Sequence, residues 1–153
     1  MGARFVFLDF DGVVHPAGQV VPLRWIQVKP LIGVQFFLPG PVAQLRTLCR
    51  QTGARIVVTS TWRLEFPISV FQPIFGDLIV GCTPLVRRIP AGMPMRWMEI
   101  QAFLADQDKP LRYVIIDDQT GLFPVDHPRT VITDPRSGFL EGDFELALSI
   151  LGG

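Results

Sequence analysis

The chain has 153 residues, of which 48% are hydrophobic and 18% are charged, and its 14 basic and 14 acidic residues give a formal net charge of zero. This length predicts one domain with an ordinary hydrophobic core, and the apolar content excludes an intrinsically disordered chain. No apolar run approaches the roughly 18 residues that a membrane-spanning helix needs, and the first apolar stretch is too short for a secretory signal. Because Cys49 and Cys82 form no metal or disulfide motif, we expect a cytoplasmic protein.

The predicted elements alternate between strands and helices. Short apolar or β-branched runs indicate strands, and apolar residues three and four positions apart indicate amphipathic helices. In chain order we predict a strand at Arg4–Asp9, a helix at Pro41–Thr52, strands at Arg55–Thr59 and Asp77–Gly81, a helix that begins at Pro94, strands at Arg112–Asp117 and Thr130–Thr133, and a final helix with Phe144 and Leu151 on its apolar face. This order predicts an α/β fold, a Rossmann-like three-layer sandwich with a five-stranded, mainly parallel sheet.

Two connections do not fit this alternation. Val14–Leu38 is rich in Pro, Gly and aromatic residues, and Phe66–Phe75 is also mixed; long connections of this kind are typical of flaps over a site. Val14–Leu38 is too short for an independent core, so we expect a short flap within a single domain at residues 1–153. Its large apolar residues either bring the flap near the substrate or cover the edge of the sheet. They are Trp25, Ile26, Phe36 and Phe37.

Acidic and hydroxyl side chains follow three of the predicted strands. They are Asp9, Asp11, Thr59, Ser60, Asp117 and Asp118. Ligands of an open parallel sheet bind beyond the carboxyl ends of its strands, so these side chains are expected at one edge. Four carboxylates at such an edge repel one another unless a cation neutralises them. A ligand set made only of oxygens favours Mg²⁺ over Zn²⁺.

The segment FVFLDFDGVVHP resembles motif I of the haloacid-dehalogenase-like (HAD) hydrolases, the DxDG signature of the phosphatases in that superfamily. Thr59 resembles motif II and the Asp117-Asp118 pair in YVIIDD resembles motif IV, in the order that the family requires and across the whole chain. The segments TSTWR, IIDD and TDPRSGF are similar to those of a compact group with members attached to RNA-repair proteins.

The resemblance implies a role for each acidic residue. Asp9 would be the nucleophile, since a carboxylate can attack phosphorus and form an aspartyl-phosphate. Asp11 would protonate the leaving oxygen and later deprotonate water. Asp117 and Asp118 would hold Mg²⁺, together with Asp9 and the backbone carbonyl of Asp11. Gly12 would allow a sharp turn where a side chain would obstruct the phosphate.

Hydroxyl and basic side chains would contact the phosphate. Thr59 would donate its hydroxyl to a phosphoryl oxygen, with Ser60 as the alternative, although both could instead cap the turn after the second strand. The family also places a Lys or Arg against the phosphate and the nucleophile, and Arg96 in the first turn of its helix is our choice for that role. The other candidates are Lys109, Arg87 and Arg88.

Arg63 and His15 have two interpretations each, and Trp62 has one. Arg63 either binds substrate or packs on Trp62, and Trp62 itself is interpreted as a packing residue. His15 is interpreted as a loop residue, and its position close to Asp11 gives a minor role in substrate binding as the alternative.

The resemblance and these observations predict a Mg²⁺-dependent phosphomonoester hydrolase with an open site. HAD hydrolases differ in cap domains inserted after the first or the third strand, and Val14–Leu38 is too short for one, so the chain resembles a capless member with no full cap domain. The sequence leaves the substrate unspecified. The resemblance to capless members favours a macromolecular one, such as a phosphorylated nucleic-acid end or a phosphopeptide, and no membrane partner is expected. The alternatives are a small-molecule phosphatase and a catalytically silent HAD-like binding module. Two other classes are disfavoured. A response-regulator domain would carry its acidic residues in a different order along the chain, and a dehalogenase would need neither magnesium nor Asp11.

Overall fold

The computed structural model describes residues 2–17, 37–108 and 111–152. The strands in these residues are β1 (Ala3–Leu8), β2 (Arg55–Val58), β3 (Ile79–Cys82), β4 (Leu111–Asp117) and β5 (Thr130–Ile132). The helices are α1 (Pro39–Thr52), α2 (Trp62–Glu65), α3 (Gln72–Phe75), α4 (Met95–Ala105) and α5 (Glu141–Leu151). Short 3₁₀ turns cover Ile68–Val70, Gly76–Leu78 and Thr120–Leu122. The predicted α/β fold is confirmed.

The five strands form one parallel sheet in the order β3-β2-β1-β4-β5. β1 is therefore central, with β2 on one side and β4 on the other. Leu8, the last residue of β1, lies opposite both Val58 of β2 and Ile116 of β4. The carboxyl ends of these three strands are consequently level, which places the residues that follow them side by side.

Both faces of the sheet are covered. Successive residues of a strand point to opposite faces, and in β1 Val6 and Leu8 belong to the larger core with residues of α1 and α5. Phe5 and Phe7 face the other way and pack with residues of α4. The ring of Phe103 in α4 makes edge contacts with Phe5 and Phe7 at centroid distances of 5.4 and 5.6 Å. The predicted three layers are therefore present.

The segment at residues 66–75 is part of the core and not a flap. Phe66, Phe71, Ile74 and Phe75 are all buried in the larger cluster. The expectation of a flap was wrong for this segment. Burial of four large apolar side chains beneath the sheet is more favourable in free energy than their exposure at its edge.

The predicted flap falls mostly outside the described residues. Trp25, Ile26 and Phe36 lie outside them, so the flap stays a prediction. At its end, the ring of Phe37 is buried against Phe10 at a centroid distance of 5.3 Å, as expected for a residue that covers the sheet. In the part of the chain that the structure describes, no helix is both long and apolar enough to span a membrane.

Candidate active site

Three adjacent strands place buried side chains at one edge of the sheet. Asp9 follows β1, Thr59 follows β2, and Asp117 ends β4. Backbone hydrogen bonds continue the sheet to this level, since Asp9 N donates to Ile116 O at 3.1 Å and Thr59 N donates to Leu8 O at 2.9 Å. The three side chains belong to residues with exposed fractions of only 4%, 0% and 0%. The edge is thus built from rigid sheet positions and not from free loops.

Three carboxylates meet at this edge. Asp9, Asp117 and Asp118 each place one carboxylate oxygen within 4.8 Å of those of the other two. Oδ1 of Asp118 is buried and has no hydrogen-bond partner among the described residues, which leaves it available to a cation. Carboxylate oxygens are the ligands that hard divalent cations prefer. The donor set therefore fits the Mg²⁺ ion that the sequence predicts.

Arg96, in the first turn of α4, reaches these carboxylates. Its Nη1 lies 2.6 Å from Oδ2 of Asp117 and 3.2 Å from Oδ1 of Asp9. When all are ionised, three carboxylates and one guanidinium leave a formal charge of −2. A divalent cation would neutralise this charge, so Arg96 alone does not satisfy the group.

The close carboxylates change one another's protonation. Burial, followed by repulsion from Asp117, raises the pKa of Asp9 to about 8, although Arg96 acts in the opposite direction. Burial and repulsion from Asp117 also raise the pKa of Asp118. Burial by itself would lower the pKa of Arg96, but the Asp9 and Asp117 carboxylates outweigh it and raise that pKa. A cation at this group would favour the ionised carboxylates and lower their pKa values.

The other basic residues considered for phosphate contact are placed differently. Arg87 and Arg88 are exposed on the loop before α4 and form no ion pair with a described carboxylate. Lys109 lies outside the described residues. Arg63 forms an ion pair with Glu99 of α4 at 2.8 Å, with both side chains only 4% exposed. The structure therefore places Arg63 inside the protein, and Arg96 is the described basic residue that contacts the predicted nucleophile.

Arg63 supports the loop that carries Thr59. Its guanidinium donates to the carbonyl oxygens of Thr59, Ser60 and Thr83 at 2.8–3.1 Å. Oγ1 of Thr59 is buried and has no hydrogen-bond partner among the described residues, which suits a hydroxyl that meets a ligand oxygen. Oγ of Ser60 accepts a hydrogen bond from Trp62 N at 3.3 Å, so this hydroxyl caps the turn.

Asp11 lies on the loop after β1 and has its own partners. Its Oδ1 lies 3.2 Å from Nδ1 of His15, and its Oδ2 accepts a hydrogen bond from Nε1 of Trp62 at 3.2 Å. The side chain is 44% exposed. Its carboxylate does not belong to the group around Asp9, and the part of its backbone carbonyl in metal binding stays a prediction. Sequence reasoning assigned Trp62 to packing because no local pattern pairs it with Asp11.

The loop after β5 forms hydrogen bonds to the turn at Gly12, and the sequence did not predict this contact. Gly12 has a φ of 79°, in the left-handed region that favours glycine. Oγ1 of Thr133 donates to Gly12 O at 2.7 Å, and Phe139 N donates to Val13 O at 2.8 Å. The only signal was the segment TDPRSGF, whose Asp-Pro and Ser-Gly pairs indicate a turn without indicating what that turn contacts.

Comparisons with known proteins agree with this arrangement. The model of a family described as the HAD domain in Swiss Army Knife RNA repair proteins matches residues 5–144, a range that contains every candidate site residue. No curated protein and no solved structure gave a significant match. Since the matched range covers well over half of the chain, with residues of all five strands and the whole carboxylate group, the chain belongs to the family of HAD domains in Swiss Army Knife RNA repair proteins.

Proposed function

We propose that this protein is a Mg²⁺-dependent phosphomonoester hydrolase that acts through an aspartyl-phosphate intermediate. The observation that supports this most directly is the contact of Arg96 with both Asp9 and Asp117, beside the third carboxylate of Asp118. A carboxylate can attack a phosphate dianion only where positive charge offsets the repulsion between them. Arg96 and a cation-binding group around the same carboxylate meet that requirement.

Asp9 is the nucleophile in this mechanism. One of its carboxylate oxygens attacks phosphorus, the bond from phosphorus to the leaving oxygen breaks, and the phosphoryl group is transferred to Asp9. Arg96 offers N–H donors to the phosphoryl oxygens and stabilises the charge of the transition state. When bound by Asp9, Asp117 and Asp118, Mg²⁺ supplies further positive charge against the phosphoryl oxygens.

Asp11 and Thr59 complete the reaction. Asp11 donates a proton to the leaving oxygen in the first step. In the second step it takes a proton from the water that attacks the phosphorus atom of the aspartyl-phosphate, which releases inorganic phosphate and restores Asp9. The 44% exposed side chain of Asp11 is accessible to both the leaving group and water. The buried hydroxyl of Thr59 donates to a phosphoryl oxygen during transfer.

The substrate we propose is an RNA end that carries a phosphomonoester. The family description refers to RNA repair proteins, and a terminal phosphate is the group on RNA that this chemistry can remove. The chain is formally neutral, so RNA binding should depend less on salt than that of a strongly basic protein. Recognition of the terminal phosphate, and not general attraction to the backbone, would then dominate affinity.

A panel of phosphomonoesters with and without Mg²⁺ tests the proposal. It contains RNA oligonucleotides with a 3′- or 5′-phosphate, phosphopeptides and a small phosphate ester. We expect phosphate release only with Mg²⁺, with the highest kcat/KM for an RNA end. Asp9→Asn should abolish release and keep the circular dichroism spectrum, whereas Asp77→Asn, at an exposed carboxylate, should keep the wild-type rate.

Two other outcomes of this panel would contradict parts of the proposal. Faster release from phosphopeptides than from RNA would contradict the substrate assignment and leave the hydrolase assignment intact. Binding of phosphorylated RNA without any release would identify a catalytically silent binding module and contradict the proposed reaction.

A further inference from the structure

The carboxylate of Asp11 is held at both of its oxygens by residues that the mechanism above does not use. Trp62 donates its indole N–H to Oδ2, and Nδ1 of His15 lies 3.2 Å from Oδ1. We propose that Trp62 and His15 are positioning residues that fix the orientation of Asp11 for proton transfer. This inference rests on the proposed function, in which Asp11 is the general acid and base.

The contact of His15 is set by a compact backbone turn. His15 N donates to Phe10 O at 3.0 Å, and Gly12 N donates to His15 O at 2.7 Å. The residue is fully buried, so its ring cannot reorient freely. Nδ1 faces two acceptors, the Asp11 carboxylate and the backbone oxygen of Pro16 at 3.1 Å. A nitrogen that faces two acceptors interacts favourably with them when it carries the hydrogen, so the proposal requires the tautomer of His15 with its hydrogen on Nδ1.

The contact of Trp62 is set by aromatic packing. Its ring contacts Phe10, His15 and Phe37 at centroid distances of 6.0, 5.1 and 5.7 Å. Trp62 begins α2, directly after the loop that carries Thr59. The indole therefore joins the loop after β1 to the loop after β2, and it fixes Asp11 relative to the group that would contact the phosphate.

A carboxylate that is 44% exposed would sample several rotamers if nothing held it. Proton transfer requires the acid within hydrogen-bond distance of the leaving oxygen, and small displacements of a reacting group are costly. Two donors from buried or packed rings restrict the rotamers of Asp11 before substrate arrives. Loss of either donor should therefore slow the step in which the leaving oxygen takes its proton.

Trp62→Phe tests this inference because it keeps a packed ring and removes the N–H. We compare kcat/KM for an alkyl phosphomonoester, whose leaving oxygen needs a proton, with kcat/KM for dinitrophenyl phosphate, whose leaving group needs none. We expect about a 10-fold loss with the alkyl ester and little change with the aryl ester. Trp97→Phe is the matched control, since that indole packs on His127 at 4.6 Å and should affect neither substrate. Equal losses with both esters in Trp62→Phe would show a purely structural role and overturn the proposal.

His15 is tested by a pair of substitutions. The amide nitrogen of an asparagine can occupy the place of Nδ1, so His15→Asn should retain much of the alkyl-ester activity. His15→Leu fills similar space without a donor, and we expect it to show the same selective loss as Trp62→Phe. Similar loss in both variants, for both esters, would contradict a donor role.

A measurement independent of turnover separates this inference from the proposed function. The indole N–H resonance of Trp62, assigned by its absence in Trp62→Phe, should shift in Asp11→Ala, whereas the resonance of Trp97 should not. If no phosphate ester is hydrolysed but this shift is seen, the proposed function fails while the contact stands. If esters are hydrolysed and the resonance does not move, the positioning role is overturned.

Discussion

Gly12 lies against the carboxylate of Asp118, so closely that a Cβ atom at position 12 would overlap that carboxylate. Because glycine has no side chain, position 12 permits both the left-handed turn after Asp11 and the observed position of Asp118, a predicted metal ligand. The function expected for Gly12 from the sequence was to clear space for the phosphate. The structure shows that Gly12 clears space for Asp118, and the role toward the phosphate stays a prediction.

Gly12→Ala should therefore lower the affinity for Mg²⁺ by about 10-fold or more, because the added Cβ would displace Asp118, and loss of a group that orients a metal ligand typically lowers affinity by that much. The strained φ should also cost about 1–3 kcal/mol in the free energy of unfolding. Calorimetry with Mg²⁺ and denaturant unfolding measure the two effects. Gly53→Ala is the matched control, because Gly53 has a similar φ of 71° with no atom within 4 Å of the added Cβ. Equal Mg²⁺ affinities in the two variants would contradict the link between Gly12 and Asp118.

Asp117 and Asp118 should respond differently to neutralisation. Asp117 is fully buried, pairs with Arg96 and accepts a hydrogen bond from Gln119 N at 2.9 Å. Asp117→Asn should lower the stability of the metal-free protein by roughly 3 kcal/mol, because it breaks a buried pair. Asp118→Asn should raise that stability, because it removes a repelling carboxylate that has an unsatisfied oxygen. Both variants should lose Mg²⁺ affinity, and chemical unfolding in EDTA would show whether the stabilities change in opposite directions.

The metal-free protein should become less stable as the pH rises from about 4 to 8. The pKa of Asp9 is about 8 in the folded protein against an ordinary value of 3.8, so the folded state binds the extra proton in this window. Stability falls with pH wherever the folded state binds more protons. Thermal melts in EDTA should show a falling Tm, and Asp9→Asn should flatten that part of the profile. An unchanged pH profile in Asp9→Asn would show that another group causes the fall.

Mg²⁺ should bind more tightly as the same proton is lost. A cation competes with the proton on Asp9, so binding near pH 7 should release protons. Calorimetric titrations in two buffers with different ionisation enthalpies measure this release. Asp9→Asn should reduce both the affinity and the number of protons released, while a release equal to that of the wild-type protein would place the proton elsewhere.

Removing one partner of the ion pair between Arg63 and Glu99 should strongly destabilise the protein, because it leaves a buried charge uncompensated. Both side chains are 4% exposed, and removing one partner of a buried pair typically costs about 3–5 kcal/mol. Glu99→Gln should approach that loss in denaturant unfolding, whereas Glu65→Gln, at an exposed position, should stay within about 0.5 kcal/mol of wild type. Similar stabilities of the two variants would mean that Arg63 is held by its backbone contacts alone.

Much of the site could be predicted from local sequence. The apolar run before Asp9 and the one before Asp117 each predict a buried strand, and parallel strands bring their carboxyl ends to one edge. The strand predictions need only short-range patterns and the general geometry of parallel sheets, and for this reason they agree with the observed positions of the side chains. The choice of Arg96 rested on the resemblance to the HAD family, which implies a basic residue near a helix start against the nucleophile.

The tertiary structure alone decided which side chains support that site. Trp62 meets Asp11 across 51 positions, and Thr133 meets Gly12 across 121 positions. Arg63 was open between substrate binding and packing until its ion pair with Glu99 placed it inside the protein. Such pairings depend on how the loops and helices pack against the sheet, and one sequence carries no local pattern for a partner so far away. The sequence by itself therefore determined the order of the strands along the chain and the acidic and hydroxyl groups at their ends, while long-range packing determined the contacts that hold those groups in place.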